Sequence, residues 1–160
     1  MQYSSTLFLR ITIVALGAIA LTIAWFVLPA IWRGWAMDYA EVEYLRYPLV
    51  ASLGMSLVPF FVALVNAWKL LNYFDRNKAF SQLSVNALRR IKYAAAAFSG
   101  LYIFVLPGAY YMAEVEDAPG LIVLGMIMIL APLVIAGFAA VLQRLLQQAV
   151  DIKSENDLTV

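Results

Sequence analysis

Four long segments of this chain contain no Asp, Glu, Lys or Arg, and they constrain its fold more than any other feature. They cover residues 11–32, 47–68, 93–113 and 118–143. An α-helix needs about 20 apolar residues to cross a hydrocarbon core of roughly 30 Å, and each segment has that length. Because backbone amides in lipid must be hydrogen-bonded within their own segment, each one is predicted to be helical. The chain is therefore predicted to cross a membrane four times.

The composition agrees with a membrane protein. Of the 160 residues, 64% are hydrophobic and 13% are charged, whereas soluble domains average about 45–50% and about 25%. The predicted fold class is all-α, an integral membrane four-helix bundle forming a single transmembrane domain over residues 1–160. Its spans are predicted at about residues 8–32, 47–71, 89–112 and 119–146, with a cytoplasmic loop at 72–88 and a cytoplasmic tail at 147–160.

The basic residues predict the orientation of the chain. Nine of the eleven Lys and Arg residues fall on one side of the predicted spans. They are Arg10, Lys69, Arg76, Lys78, Arg89, Arg90, Lys92, Arg144 and Lys153. Short cytoplasmic segments carry the excess of Lys and Arg in membrane proteins. Both termini are therefore predicted to be cytoplasmic, in the bacterial cytoplasmic (inner) membrane.

A tetrapeptide recurs at corresponding places in two spans. Phe-Val-Leu-Pro occupies residues 26–29 and again residues 104–107, and the span after each copy has its own proline, Pro59 or Pro132. One interpretation is two repeated helical hairpins related by an axis along the membrane normal. The other is chance recurrence of common apolar residues. Proline bends a helix by removing a backbone hydrogen bond, so these positions are either hinges or fixed packing features.

The side chains that most catalytic sites need are missing. The chain has no Cys and no His, which removes thiolate chemistry and the commonest general base and metal ligand. The spans carry no ionisable side chain of the kind that proton relays use. We therefore expect no enzyme activity, no cofactor and no metal. Oxygen ligands suit hard cations, and the weak alternative is a divalent-cation site among Glu41, Glu43, Glu114, Glu116 and Asp117.

The loop after the second span is the most informative polar segment. Ser81 is predicted to cap a new helix, because a serine hydroxyl at this position accepts a backbone amide hydrogen bond. Arg89 and Arg90 follow on that helix at the membrane surface. They are predicted to contact anionic lipid headgroups, with the acidic surface of a protein partner as the alternative.

The tail continues from the fourth span as an amphipathic segment. Its apolar residues recur at helical spacing, and they include Leu142, Leu145, Leu146, Ala149, Val150 and Ile152. Such a helix lies on lipid headgroups or packs against the loop or a partner helix.

These two segments resemble a known family. The loop motif is Lys78-Ala79-Phe80-Ser81 followed by Asn86 and by Arg89-Arg90-Ile91, and the tail motif is the ending from Ala149 to Val160. Both resemble small bacterial four-helix membrane proteins grouped as domain of unknown function family 2975. Many members have a Gly-Lys-Pro-Phe turn where this chain has Asn77-Lys78-Ala79-Phe80. The two turns differ in sequence, so the geometry of this one does not follow from the resemblance.

The resemblance implies a partner. Members frequently accompany a small cytoplasmic DNA-binding regulator of the Cro/cI helix-turn-helix type, which implies a membrane sensor or scaffold that binds the regulator. The predicted partner-binding residues are Phe80, Ser81, Asn86, Arg89, Arg90, Glu155, Asn156, Asp157 and Leu158. Membrane lipids are expected partners, direct contact with nucleic acid is not expected, and self-association through small-residue helix faces stays open. The alternatives are a small transporter or channel component and, less favoured, an enzyme acting on lipid.

Overall fold

The computed structural model describes residues 2–159, with side chains for residues 4–159. Every regular element in this part of the chain is helical, so the predicted all-α class is confirmed. The elements are α1 (Gln2–Asp38), a 3₁₀ helix (Ala40–Leu45), α2 (Arg46–Met55), α3 (Leu57–Asp75), α4 (Gln82–Ile103), α5 (Leu106–Val115) and α6 (Gly120–Leu158). The predicted domain limits at Met1 and Val160 lie outside the described residues.

Three stretches of helix are long and apolar enough to cross a membrane: Ser4–Asp38, Ala40–Asp75 and Gly120–Leu158. α4 and α5 taken together are also long and apolar enough to cross a membrane, and the two helices are bent by 45° relative to each other. Counted as one broken span, this pair brings the candidate spans to four. The 39 residues of α6 form a helix about 58 Å long. Because a hydrocarbon core is only about 30 Å thick, α6 extends well beyond it.

Two prolines explain where two of the spans break. α2 ends at Met55 and α4 ends at Ile103, and each of these residues lies four positions before a proline, Pro59 or Pro107. Proline has no N–H, so the carbonyl four residues earlier loses its helical partner. Pro29 and Pro132 remove the same bond within α1 and α6, yet both of these helices continue.

The two copies of the recurring tetrapeptide therefore differ in structure. The first lies inside α1, whereas the second lies at the bend between α4 and α5. A close tertiary contact accompanies the bend, since Gly108 packs so closely on Leu49 of α2 that an added Cβ would overlap that side chain. The first copy is followed by Ala30, which is exposed, so no close helix contact is made at that position. Duplication of a hairpin stays a hypothesis.

The segments after α3 and α5 reverse the chain through the same hydrogen-bonding pattern. Asn77 and Asp117 adopt left-handed φ angles of 56° and 50°. The next amide in each case donates back to the helix, from Lys78 to the Tyr73 carbonyl at 2.7 Å and from Ala118 to the Ala113 carbonyl at 2.9 Å. This is the Schellman motif, and Asn and Asp accept the left-handed conformation more readily than most residues.

α4 lies at the centre of the packing. It runs along α6 on one side and along α3 on the other. The Ser99 hydroxyl donates to the Ile129 carbonyl of α6 at 2.8 Å, and the ring of Phe98 lies 6.3 Å from that of Phe60 in α3. α1 packs mainly on α3, and within the described residues it makes no extensive contact with α4 or α6. The spans thus lie in the order α1–α3–α4–α6, each packed on the next.

A compact core closes the end of the bundle that is predicted to face outward. It consists of Trp35 and Tyr39 at the end of α1, Leu49 of α2 and Val105 at the bend. The Trp35 and Tyr39 rings lie 4.9 Å apart, and the Trp35 indole donates to the Val42 carbonyl at 3.2 Å. This core links α1 to α5.

Candidate functional site

The last part of α6 projects past the other helices at the end of the bundle opposite this core. The Gln147 amide donates to Gln82, the first residue of α4, at 3.2 Å, so α4 begins beside Gln147. Residues 148–158 of α6, named the tail here, continue for about 16 Å beyond that level. From Asp151 onward every described side chain of the tail is exposed. The tail is therefore a helix that projects from the bundle.

The segment of residues 76–81, named the turn, joins α3 to α4 beside the tail. Ser81 stands immediately before α4, as predicted, and its backbone is extended, but its hydroxyl makes no cap hydrogen bond. The predicted cap is wrong because the turn brings the Lys78 carbonyl within reach. That carbonyl accepts the Ser81 hydroxyl at 2.5 Å and the Ser84 hydroxyl at 3.2 Å. The two bonds hold the turn against the first turn of α4.

Phe80 connects the turn to the tail. Its side chain is 59% exposed and shares the lining of a cleft of about 320 Å³ with Lys153, Asp157 and Leu158 of the tail. It also shares an adjoining apolar cleft of about 590 Å³ with residues of α3, α4 and α6. The apolar lining includes Leu70, Phe74, Ala79, Leu88, Leu142, Leu145, Leu146 and Ala149. The two clefts together are named the turn–tail groove.

The structure brings some of the predicted partner-binding residues together and separates the others. Phe80, Asp157 and Leu158 line the groove, and Ser81 holds the turn beneath it. Glu155 and Asn156 are exposed on the tail and do not line the groove. Asn86 accepts a hydrogen bond from Gln82 at 3.3 Å. Arg89 and Arg90 are exposed on α4 about two turns from its start, away from the groove lining.

One polar cluster near this end was not found from the sequence. The Arg10 guanidinium donates to Asn72 at 2.5 Å and to Asp75 at 2.9 Å, and it lies 5.0 Å from the centre of the Trp68 ring. From its position in the sequence, Arg10 is only an orientation signal. The sequence signal for this cluster is a single cation at the edge of an apolar helix. Its partners on α3 are identified only by the folded structure.

Three of the five acidic residues of the divalent-cation alternative, at the opposite end, have protein partners. The Tyr39 hydroxyl donates to Glu116, the Tyr110 hydroxyl donates to Glu114 at 2.6 Å, and Glu43 pairs with Arg46 at 2.7 Å. Within residues 2–159, no group of three or more His, Cys, Asp or Glu side chains is placed to hold a metal ion. The weak divalent-cation alternative therefore has no site in the described structure.

The bond to Glu116 also changes the chemistry of Tyr39. It raises the pKa of Tyr39 to about 12, with burial and the negative charge of Glu116 acting in the same direction. Nearby, the Arg46 guanidinium is buried and lies 4.0 Å from the centre of the Trp32 ring. These contacts join α1, α2 and α5 outside the apolar spans.

Sequence comparison places these features in a family. A family model described as protein of unknown function (DUF2975) matches residues 30–160. The chain belongs to the DUF2975 family. The match includes the turn, the tail and all of the helices after α1, so the resemblance seen in the loop and tail motifs is confirmed.

A curated relative of this DUF2975 protein is an uncharacterized membrane protein, YoaS, from Bacillus subtilis (strain 168). The two chains are 48% identical over 160 residues, which is the full length of both. No solved structure matches the chain significantly. Together with the apolar helices, these findings identify a membrane protein with several candidate membrane-spanning helices.

Proposed function

We propose that this protein is a membrane sensor or scaffold that binds a cytoplasmic transcriptional regulator in the turn–tail groove. The observation that carries the proposal is the position of Phe80. Two segments that are distant in sequence, the turn and the tail, meet at this side chain. They are the same two segments that carry the family motifs. The family resemblance supplies the kind of partner, a small helix-turn-helix protein.

Exposed apolar groups on the turn and tail support a docking role. Phe80 is 59% exposed, Ile152 is 60% exposed and Leu158 is 85% exposed. Such residues are ordinary in a lipid-facing span, but the tail extends past the start of α4 toward water. Apolar side chains that cluster around a groove outside the bilayer mark interaction sites more often than isolated ones do.

Two charged side chains lie at the rim of this apolar groove. Lys153 and Asp157 lie one helical turn apart on the tail and both line the groove beside Phe80. A cation and an anion at this spacing set the register of a partner that carries the opposite charges, while the apolar floor supplies most of the affinity. An amphipathic helix of the regulator fits such a groove, in the manner of other helix-in-groove complexes.

The decisive experiment is capture of bound proteins from native membranes. The full chain, a version truncated after Leu146 and the single variants Phe80→Ser and Leu158→Ser are purified in mild detergent, and the bound proteins are identified by mass spectrometry. We expect the full chain to retain a small DNA-binding protein, and each of the three altered chains to lose most of it.

Leu83→Ser is the matched control. Leu83 is 49% exposed at the start of α4 but lies outside the groove lining, so this variant is expected to retain the partner. Equal amounts of each variant in the membrane fraction show that insertion is intact. An identical set of bound proteins for the full chain, Phe80→Ser and Leu158→Ser contradicts the proposal.

A second candidate function is a small transporter or channel component. It is favoured by a cavity of about 190 Å³ among α1, α3, α4 and α6, beside the break between α2 and α3. The test is flux across reconstituted vesicles, and a solute that crosses only when the protein is present supports it. The apolar lining of the cavity weighs against polar or ionic solutes.

A further inference from the structure

Three basic side chains come together where α4 packs on α6, at the end of the bundle that carries the turn and the tail. They are Arg89 and Lys92 of α4 and Arg144 of α6. Lys92 and Arg144 directly border two of the uncharged segments, residues 93–113 and 118–143, and Arg89 precedes Lys92 by three residues. Basic residues at the edge of an apolar span lie among the lipid headgroups. The three cations are therefore at headgroup level.

The pairing of α4 with α6 brings Arg89 and Arg144 together. The Gln147 amide donates to Gln82 at 3.2 Å, so these two residues are level with each other. Arg89 follows Gln82 by seven residues and therefore lies on the same face of α4, about 10 Å nearer the bilayer centre. Arg144 precedes Gln147 by three residues, which is about 5 Å in the same direction. The two arginines thus lie on neighbouring helices about 6 Å apart in level.

Lys92 extends this pair toward the bilayer. It precedes Ser99 by seven residues and shares its face, and the Ser99 hydroxyl donates to the Ile129 carbonyl of α6 at 2.8 Å. Lys92 therefore also stands beside α6. Its ammonium lies 4.7 Å from the centre of the Tyr93 ring, which belongs to a residue that is 62% exposed. Tyr93 shares a face with Arg89 one turn before it, so the ammonium is held on the side of α4 that carries Arg89.

This cluster is separate from the turn–tail groove. None of the three cations lines either cleft of that groove. The α6 residues of the apolar cleft are Leu142, Leu145, Leu146 and Ala149. Arg144 is rotated about the helix axis by about 100° or more from each of them. The cations therefore occupy the other side of the contact between α4 and α6.

Within the described residues the three cations have no acidic partner. The ion pairs of this part of the chain involve other arginines, Arg10 and Arg46. On the same face of α6, Asp151 follows Arg144 by two turns, farther from the bilayer, and accepts a hydrogen bond from Gln147 at 3.0 Å. Three uncompensated positive charges in a small region repel one another, so a bound anion stabilises their arrangement.

Small residues continue the same two faces toward the bilayer centre. Ala96 and Gly100 follow Arg89 by seven and eleven residues on α4, and Gly137 precedes Arg144 by seven residues on α6. An added Cβ at Gly100 or at Gly137 would have no atom within 4 Å. The side of the helix contact that carries the cations thus extends into the hydrocarbon layer as a furrow that is open to lipid.

We propose that Arg89, Lys92 and Arg144 bind the phosphodiester of an anionic phospholipid, one of whose acyl chains lies along this furrow. The sequence alone predicts a headgroup contact for Arg89, whereas the packing of α6 on α4 adds Arg144 and makes a discrete site. A zwitterionic headgroup carries its own ammonium into a region that already has three cations, so an anionic headgroup is preferred. An acidic protein surface would remain in water and could not fill the furrow. The site does not depend on the turn–tail groove.

The test is native mass spectrometry of the full chain in detergent. The protein is supplied with equal amounts of phosphatidylglycerol and phosphatidylcholine that have the same acyl chains, and we expect it to retain phosphatidylglycerol preferentially. Each of Arg89→Gln, Lys92→Gln and Arg144→Gln is expected to lower this preference about two- to fivefold, the ratio expected for one basic residue at an anionic surface. The three changes combined are expected to abolish it.

Matched variants separate the site from the general charge of the molecule. Lys69→Gln, Arg76→Gln and Lys78→Gln combined remove the same charge from exposed residues of α3 and the turn, and this triple variant is expected to keep the preference. Gly137→Phe fills the furrow without changing any charge and is expected to reduce retention of phosphatidylglycerol. Ala18→Phe, on an exposed face of α1, is expected to leave retention unchanged.

Equal retention of the two lipids by the unaltered protein overturns the proposal and leaves an acidic protein surface as the occupant. An equal loss of preference in the two triple variants also overturns it, because the cations then act only through the net charge. Circular dichroism of each variant shows whether the helices are intact. Neither result affects capture of a regulator by the turn–tail groove, so the two proposals fail independently.

Discussion

Gly108 marks the closest approach of two helices. An added Cβ at this position would overlap Leu49, whereas an added Cβ at Gly100 has nothing within 4 Å. We expect Gly108→Ala to lower the free energy of unfolding by about 1–3 kcal/mol, since overpacking forces neighbouring atoms to move. We expect Gly100→Ala to leave it unchanged or to raise it by up to about 1 kcal/mol. Thermal unfolding in detergent micelles measures both, and equal effects contradict the assigned packing.

Tyr39 and Glu116 form a hydrogen bond whose effect depends on pH. The folded-state pKa of Tyr39 is raised from 10.0 to about 12 by this bond first and then by burial and charge. For a pKa that is raised on folding, the contribution to stability is fully present below the unfolded value and is lost as pH rises through the folded one. The bond therefore stabilises the protein up to pH 10, and this stabilisation is lost between pH 10 and about 12.

The corresponding prediction concerns the phenolate absorbance of the folded protein. Subtracting the titration of Tyr39→Phe from that of the unaltered protein isolates Tyr39, and we expect its midpoint near 12. Glu116→Gln removes the negative charge and is expected to lower the pKa of Tyr39. A difference titration centred at the ordinary tyrosine value of about 10 contradicts the assigned bond.

At the scale of whole elements, α1 is the least buried of the three long apolar spans. It contacts α3 near Gly17, where an added Cβ would lie 3.3 Å from the Phe61 ring. Its two ends are held by polar groups, Arg10 at one end and Tyr39 just beyond the other. Most other side chains of α1 are exposed, so Trp35 in the core, the two polar contacts and the close approach at Gly17 determine where it lies.

Replacement of Arg10 tests the attachment of α1. We expect Arg10→Met to lower the free energy of unfolding by about 1 kcal/mol, the usual upper value for a partly exposed ion pair. Arg10→Lys is expected to recover only part of this loss, because an ammonium group does not reproduce the guanidinium fork that reaches both Asn72 and Asp75. Arg33→Met, at an exposed arginine near the other end of α1, is the control. Full recovery with lysine contradicts this assignment.

At the scale of the whole molecule, the two ends of the bundle differ in charge and in shape. One end carries the turn, the tail and nine of the eleven basic residues. The other end carries the core around Trp35 and the hydrogen bond from Tyr39 to Glu116. α4 joins the two ends, since it extends from the bend near Val105 to the turn.

The orientation of the molecule is directly testable because the chain has no cysteine. We expect Met37→Cys, at a residue that is 84% exposed, to react with an impermeant maleimide on intact cells or spheroplasts. Ser154→Cys, on the exposed tail, is expected to react only after permeabilisation. Reaction of Ser154→Cys on intact cells contradicts the predicted cytoplasmic position of the tail.

Much of the fold could be predicted from local sequence, but the functional site could be predicted only in part. The long uncharged segments indicate membrane helices because lipid leaves no other way to satisfy the backbone. The residues around Phe80 and Leu158 were recognisable as motifs. The sequence did not show that these residues line one groove, because that depends on the length of α6 and on its packing along α4. Asn86, Arg89 and Arg90 share the motif and lie outside the groove lining.

The sequence by itself determined the membrane class, the four apolar segments, the turn after the second of them and the excess of basic residues at one end. These follow from hydrophobicity and charge, which act residue by residue. The tertiary structure decided which prolines break a helix, since Pro107 lies at a bend beside the Gly108–Leu49 contact while Pro29 does not interrupt α1. It also decided the partners of Arg10, the bond from Tyr39 to Glu116 and the cavity among α1, α3, α4 and α6. Each of these requires groups that only the packing of helices brings together.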